Sequence, residues 1–253
     1  MIMNNEKKPV EKEVKPEKEA VKPQADGKAE AGPQAGKPQE ASRTGPKPKE
    51  AKPKFPGIKL FGLWDLSQVR VEDPGLRMYI KLKPQMVPRS GGRYAKERFY
   101  KNETGIVERF MNKLAVSGHK GKKHRLTSGH CAEGKYNLYK AMKEAFKIIE
   151  KKTNQNPIQT LVKAIENSAI LEEVAAYRMG GIIARKAVVA SPKRRLDIAL
   201  RYMAQGIFKT SFRNRSSLAE VIAKELMAAA SNDPKSFSIM EKNRIEKEAE
   251  GAR

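Results

Sequence analysis

The first clear helical period in the chain begins at Thr104. From there apolar residues recur three and four positions apart in successive blocks, the spacing of amphipathic helices. Val107, Phe110, Met111 and Leu114 predict a helix over Thr104 to Ser117, with Gly118 as its stop. Leu138, Met142, Ala145, Phe146 and Ile149 predict a second over Glu133 to Lys152. Asn156-Pro157 opens a third as cap and first residue, with Ile158, Leu161, Val162 and Ile165 on its stripe. Leu196, Ala199, Leu200, Met203 and Ile207 mark a fourth over Pro192 to Phe208, entered through Ser191-Pro192. A fifth opens on the capping box Ser217-Leu218-Ala219-Glu220 and buries Leu218, Val221, Ile222, Leu226 and Ala229. A charged sixth opens on Ser238-Ile239-Met240-Glu241 and runs to about Glu250. Its inward candidates are few, Ile239, Met240, Ile245 and Ala249, so it is expected to lie loosely on the body and fray.

Between the third and fourth helices the period fails. Tyr177, Met179, Ile182, Ile183, Val188 and Val189 favour extended backbone, and Gly180-Gly181 interrupt any helix. The pattern predicts a protruding two-stranded hairpin over 174–190. The fold class is therefore mainly α, a bundle of about six helices with that hairpin between the third and fourth. An irregular arm precedes the bundle over 55–100. Leu60, Phe61, Leu63 and Trp64 are its apolar anchors. Val69, Val71, Tyr79, Ile80 and Leu82 suggest extended pieces, broken at Pro74-Gly75, Pro84, Pro88 and Gly91-Gly92. The arm is expected to wrap the helical body, which fills 101–253.

Residues 1–54 hold 8 of the 15 prolines and no aromatic residue. A segment of this kind buries too little apolar surface to offset the entropy of ordering and is expected to be a disordered extension.

Charge changes the picture. The chain has 253 residues and a formal net charge of +23. Residues 1–54 contribute 13 basic and 9 acidic side chains, so the excess belongs to the remainder, with 39 basic and 20 acidic. Such an imbalance argues against an ordinary enzyme and points to nucleic acid first, then to an anionic membrane. No apolar run approaches the roughly 20 residues needed to span a bilayer, and the N-terminus is acid–base mixed and Pro-rich, unlike a signal segment. A single cysteine, Cys131, forms no intrachain disulfide framework, and the expected compartment is the cytoplasm.

The hairpin and the helix start after it carry Arg178, Arg185, Lys186, Lys193, Arg194 and Arg195, with no acid from Val174 to Leu196. Six cations without a local counter-charge suit a polyanion. Lys120, Lys122, Lys123 and Arg125 crowd the loop after the first helix, and a basic loop there suits phosphate. Arg213 and Arg215 stand just before a helix N-terminus, where guanidinium forks and backbone N–H groups converge on an anion. The basic close of the arm, Arg89 to Arg98, reads equally as solvated surface or RNA contact.

Other chemistries fit less well. His119, His124, His130 and Cys131 share one loop, but no Cys-x2-Cys or helical His pair is present, and the surrounding lysines repel a cation; no metal is expected. Gly118 to Lys123 lacks the spacing and hydroxyl of a phosphate loop. The connector from Lys209 to Ser216 is too long for a helix-turn-helix. No nucleophile–base pair, acidic cluster or cofactor loop is evident, so neither catalysis, cofactor nor small-molecule substrate is expected. A DNA-binding architectural protein and, behind it, a metal-dependent nucleic-acid enzyme stay as alternatives.

The order of elements and several stretches resemble the family of ribosomal protein seven of the small subunit. They are Ile165-Glu166-Asn167, Arg178-Met179-Gly180-Gly181, Ala187-Val188-Val189 leading into Lys193-Arg194-Arg195, Ala223-Lys224-Glu225-Leu226, and Ala249 to Arg253. The resemblance covers roughly Tyr94 to Arg253. The long arm and the Gly-His-Lys-Gly-Lys-Lys-His-Arg insertion resemble the archaeal and eukaryotic branch. It implies a non-enzymatic protein that binds the 3′ major domain of small-subunit rRNA and nucleates assembly of the subunit head. It also implies a place at the subunit interface, near exit-site tRNA and the mRNA exit, beside head and platform proteins. On that basis Lys120, Lys122, Lys123, Arg125, Arg178, Arg185, Lys186, Lys193, Arg194, Arg195, Arg213 and Arg215 are rRNA contacts. Ile182, Ile183, Ala184, Arg185 and Lys186 are the hairpin tip near tRNA and mRNA.

Overall fold

In the computed structural model of the chain, the described residues are 57–120, 123–124 and 134–253. The expected extension over 1–54 lies outside them.

Six helices form the body: α2 (Ile106–Leu114), α3 (Lys135–Thr153), α4 (Pro157–Ser168), α5 (Pro192–Ser211), α6 (Leu218–Ala230) and α7 (Phe237–Glu250). A one-turn helix, α1 (Pro74–Arg77), lies in the arm where the sequence pattern predicts only a break at Pro74-Gly75. Asp73 caps it, its carboxylate accepting from Gly75 N at 2.7 Å. Two single-turn 3-10 helices, Arg93–Ala95 and Tyr100–Glu103, and two antiparallel ladders complete the described elements. One pairs β1 (His119–Lys120) with β2 (Lys123–His124). The other pairs β3 (Glu172–Met179) with β4 (Ile182–Val189).

α6 occupies the middle of the bundle, packed on α3, α4 and α5. Its inward face mixes Val221, Ile222 and Leu226 with Ala219, Ala223 and Ala229, all buried, and the small residues let its neighbours approach. Phe110, Leu138, Met142, Phe146, Ile149, Leu161, Ile165 and Leu196 fill the space around it. Local capping signals fix two of these helix starts. Asn156 Oδ1 accepts from Ile158 N at 3.0 Å with Pro157 at the first turn, and Ser217 Oγ accepts from Glu220 N at 3.3 Å. Ser191 occupies the cap position of α5 but makes no capping hydrogen bond with its side chain. α2 is shorter than Thr104 to Ser117, ending in turns after Leu114, while α5 runs past Phe208 to Ser211.

The arm clings to this body by residues distant in sequence. Leu60, Phe61 and Trp64 are buried, and Phe61 and Trp64 meet the Phe146 ring edge-on at 6.0 and 5.6 Å. Trp64 Nε1 donates to Glu150 at 3.1 Å. Glu166 Oε1 accepts from Glu72 N and Asp73 N at 2.7 and 3.0 Å.

α7 departs from expectation. The helix begins at Phe237, two residues after the turn closes, and Ser238 lies inside it rather than capping it. Ser236 and Ser238 are buried, with Ser236 Oγ donating to Glu225 Oε1 at 2.8 Å and Ser168 Oγ to Ser238 Oγ at 3.0 Å. Lys242 Nζ donates to Asn167 O at 2.8 Å, and Ala249 is fully buried. The helix is thus docked through polar and small residues, a mode its hydrophobic pattern does not show.

Candidate nucleic-acid interface

The hairpin projects because only its base touches the body. Met179 pairs with Ile182, leaving Gly180-Gly181 as a two-residue turn with Gly180 at φ +60°, a conformation that suits glycine. Residues directly opposite, and residues two apart, share a face. Arg178, Ile183 and Arg185 therefore lie on one face, and Lys186 lies on the other with Tyr177, Met179 and Ile182. The tip is apolar and open, with Ile182 at 76% exposure and Met179 at 73%. Ala184, Arg185 and Lys186 are exposed beside it.

At the hairpin base Arg194 and Arg195 have counter-charges from outside the 174–196 window. Arg194 forms a two-pronged ion pair with Glu173, its Nη2–Oε2 arm at 2.6 Å. Arg195 donates from Nη2 to Asp73 Oδ2 at 2.8 Å and from Nε to Ile170 O at 3.0 Å, and its side chain is 13% exposed. Lys193 Nζ lies 3.6 Å from the centroid of the exposed Phe99 ring. The six cations are thus not a uniform uncompensated row. Arg178, Arg185 and Lys186 stand outward without an ion pair among the described residues, Arg194 is paired at the surface, and Arg195 is turned to internal partners.

A second basic surface lies where α2 packs on α5. Asp197 accepts from Lys101 Nζ and Arg109 Nη2, both at 2.9 Å. Lys113 and Arg201 line an open groove of about 540 Å³ beside them, together with Asn112, Ser117 and Gln205. Neither Lys113 nor Arg201 has an ion pair among the described residues. Burial depresses the Lys113 ammonium pKa; Asp197 opposes this, while Arg201, Lys101 and Arg109 add to it. Burial acts to raise the Asp197 carboxyl, but the Lys101 hydrogen bond and the Arg109 and Lys101 charges hold it below the usual carboxylate range. One carboxylate among five cations, counting Lys193, leaves a surface that attracts phosphate.

Sequence reading missed Lys101, Lys113 and Arg201. Lys193, Asp197 and Arg201 do recur every four residues, as do Arg109 and Lys113, so each set shares a helix face. That the two faces meet is set by tertiary packing.

Arg213 and Arg215 are exposed on the turn before α6. Arg213 adopts φ +57° and stacks its guanidinium 5.4 Å from the Phe212 ring centroid. In the loop after α2, Lys120 and Lys123 pair through their backbones, as do His119 and His124. Lys122, Arg125, His130 and Cys131 lie outside the described residues. Among the described residues no group of three or more His, Cys, Asp and Glu can hold a metal ion, and no helix is long and apolar enough to cross a membrane.

Comparison with known proteins gives the family. The family model described as ribosomal protein S7p/S5e matches residues 76–253. A curated relative, small ribosomal subunit protein uS7 of Nanoarchaeum equitans (strain Kin4-M), is 50% identical over 196 residues, which cover 78% of this chain and 99% of the relative. The match takes in α2 to α7 and both ladders, and on it the chain belongs to the ribosomal protein S7p/S5e family.

Proposed function

We propose that the chain is a structural, non-enzymatic protein of the small ribosomal subunit that binds the 3′ major domain of small-subunit rRNA and nucleates assembly of the subunit head. The observation that carries this reading is the pairing of two basic surfaces on a helical body, the α2–α5 groove with Lys113 and Arg201 and Lys101 and Lys193 near Asp197, and the hairpin with Arg178, Arg185 and Lys186. Phosphate contacts of this kind position a protein on folded RNA by shape. Lys120, Lys122, Lys123, Arg125, Arg213 and Arg215 extend the contact, with Arg194 at its edge, and Arg195 holds the scaffold behind it. The exposed tip at Ile182 and Ile183 lies near exit-site tRNA and the mRNA exit, with head and platform proteins adjoining. On this reading the chain works on the ribosome, in the cytoplasm.

A salt-series titration of the full chain tests the reading, with the 3′ major domain fragment, another domain of the same rRNA and duplex DNA of equal charge as ligands. Tight, saturable binding to the 3′ domain that survives DNA competition is expected. Equal binding to all three, with the same steep salt dependence, overturns it and leaves generic electrostatics.

A further inference from the structure

A cleft of about 310 Å³ opens between the arm, α2 and the start of α3. Its walls are apolar, formed by Val87, Pro88, Met111 and Tyr139. Its one acidic lining residue is Glu108, which is 2% exposed. Glu108 Oε1 accepts from Ser90 N at 2.8 Å and Ser90 Oγ at 2.6 Å. Glu108 Oε2 is buried with no hydrogen-bond partner among the described residues. A buried carboxylate oxygen without a donor is costly and calls for one. Arg89 and Lys135 are exposed at the cleft, with Lys140 Nζ 4.5 Å from the centroid of the exposed Tyr136 ring.

These features define a ligand with a flat apolar body, a hydrogen-bond donor edge and a negative group outside. A nucleotide has all three. Among the bases, guanine places two donors side by side, N1–H and N2–H, whereas the corresponding positions of adenine, uracil and cytosine include an acceptor that a carboxylate repels. We infer that this cleft takes a guanine nucleotide splayed out of an RNA strand, with the base edge donating to Glu108 Oε2, Tyr136 against the base, and Arg89 and Lys135 on its phosphate. Unstacked bases are recognised in this manner by aromatic side chains and edge hydrogen bonds. Oε2 is covered, so lining side chains move aside as the base enters. The assignment rests on the RNA-binding reading above.

The test titrates the full chain with each of the four nucleoside 5′-monophosphates while following the Met111 methyl NMR signal. GMP is expected to shift that signal saturably and to bind roughly tenfold tighter than the other three. Glu108→Gln keeps one oxygen for Ser90 and replaces Oε2 by a donor, so it weakens GMP about tenfold and strengthens AMP. Tyr136→Ala, at an exposed position, weakens GMP without altering the fold. An unmoved Met111 signal, equal binding of all four, or an equal effect of Glu108→Gln on all four overturns the inference. So does cross-linking of Tyr136 to a protein segment in the assembled subunit. The rRNA titration separates the failures: binding retained with no GMP response removes only the cleft assignment, while absent rRNA binding removes the function itself.

Discussion

Arg195 and Asp73, 122 residues apart, meet at 2.8 Å and join the arm to the start of α5. Asp73 also caps α1, and the same guanidinium holds the Ile170 carbonyl at the end of α4. Arg195→Ala is therefore expected to lower the free energy of unfolding by about 2 kcal/mol, the scale for losing part-buried hydrogen bonds to a charged group. Arg194→Ala removes a pair whose arginine is 56% exposed and is expected to cost less than about 1 kcal/mol. Urea unfolding of the two single variants checks the contrast. Equal losses sink the distinction between scaffold and surface.

Lys113 and Arg201 are expected to act on RNA with little effect on the fold. Replacing both by alanine removes two phosphate contacts, so the slope of log K against log salt falls by about 1.5 to 2 in magnitude. The unfolding midpoint is expected to change little, because Lys113 is already held among Arg201, Lys101 and Arg109. An unchanged salt slope removes the groove from the RNA surface.

Two carboxylates bear on pH with opposite sign. Asp197 sits below its ordinary value, so its contribution is present above about pH 4 and is lost as pH falls through the lower folded value. Asp197→Asn is expected to flatten the acid limb of the stability curve below about pH 4. Burial raises Glu166, outweighing the hydrogen bonds from Asp73 N and Glu72 N. Its stabilising form is the protonated one, present below the unfolded value and lost as pH rises through the folded value. Glu166→Gln keeps an oxygen for both N–H groups and is expected to lose no stability at pH 7. Chemical unfolding from pH 2 to 7 reads both, and parallel curves for wild type and variants contradict the assignment.

Gly206 supports the docking of α7. A Cβ there would lie 2.8 Å from Phe237 Cβ and 3.1 Å from Glu225 Oε1. Neither neighbour retreats easily, since Phe237 starts α7 and Glu225 holds Ser236. Gly206→Ala is expected to destabilise the protein by about 1–3 kcal/mol and to raise hydrogen exchange in α7 before the other helices. Uniform exchange along the chain is the contrary result.

The helices and the hairpin were legible in the sequence because their signals are local. Periodic apolar residues mark α2 to α6, Asn156-Pro157 and Ser217 mark two starts, and Gly180-Gly181 marks the turn. Partnerships across the chain were not. Nothing near Arg194 or Arg195 in sequence names Glu173 or Asp73 as a counter-charge. The docking of α7 was misread because Ser236, Ser238 and Glu241 are buried by hydrogen bonding, which carries no hydrophobic period. The cleft beside Glu108 was invisible because Val87, Glu108 and Tyr136 come from three separate segments.

The arm's attachments also set an order of events during synthesis. Leu60, Phe61 and Trp64 leave the translating ribosome well before the surfaces that bury them, and Trp64 precedes its partner Glu150 by 86 residues. At roughly 5–20 residues per second, that interval is on the order of 4–17 s. Throughout it the arm's aromatic anchors have no helix to cover them, and a nascent chain in that state is a substrate for chaperones that bind exposed apolar segments.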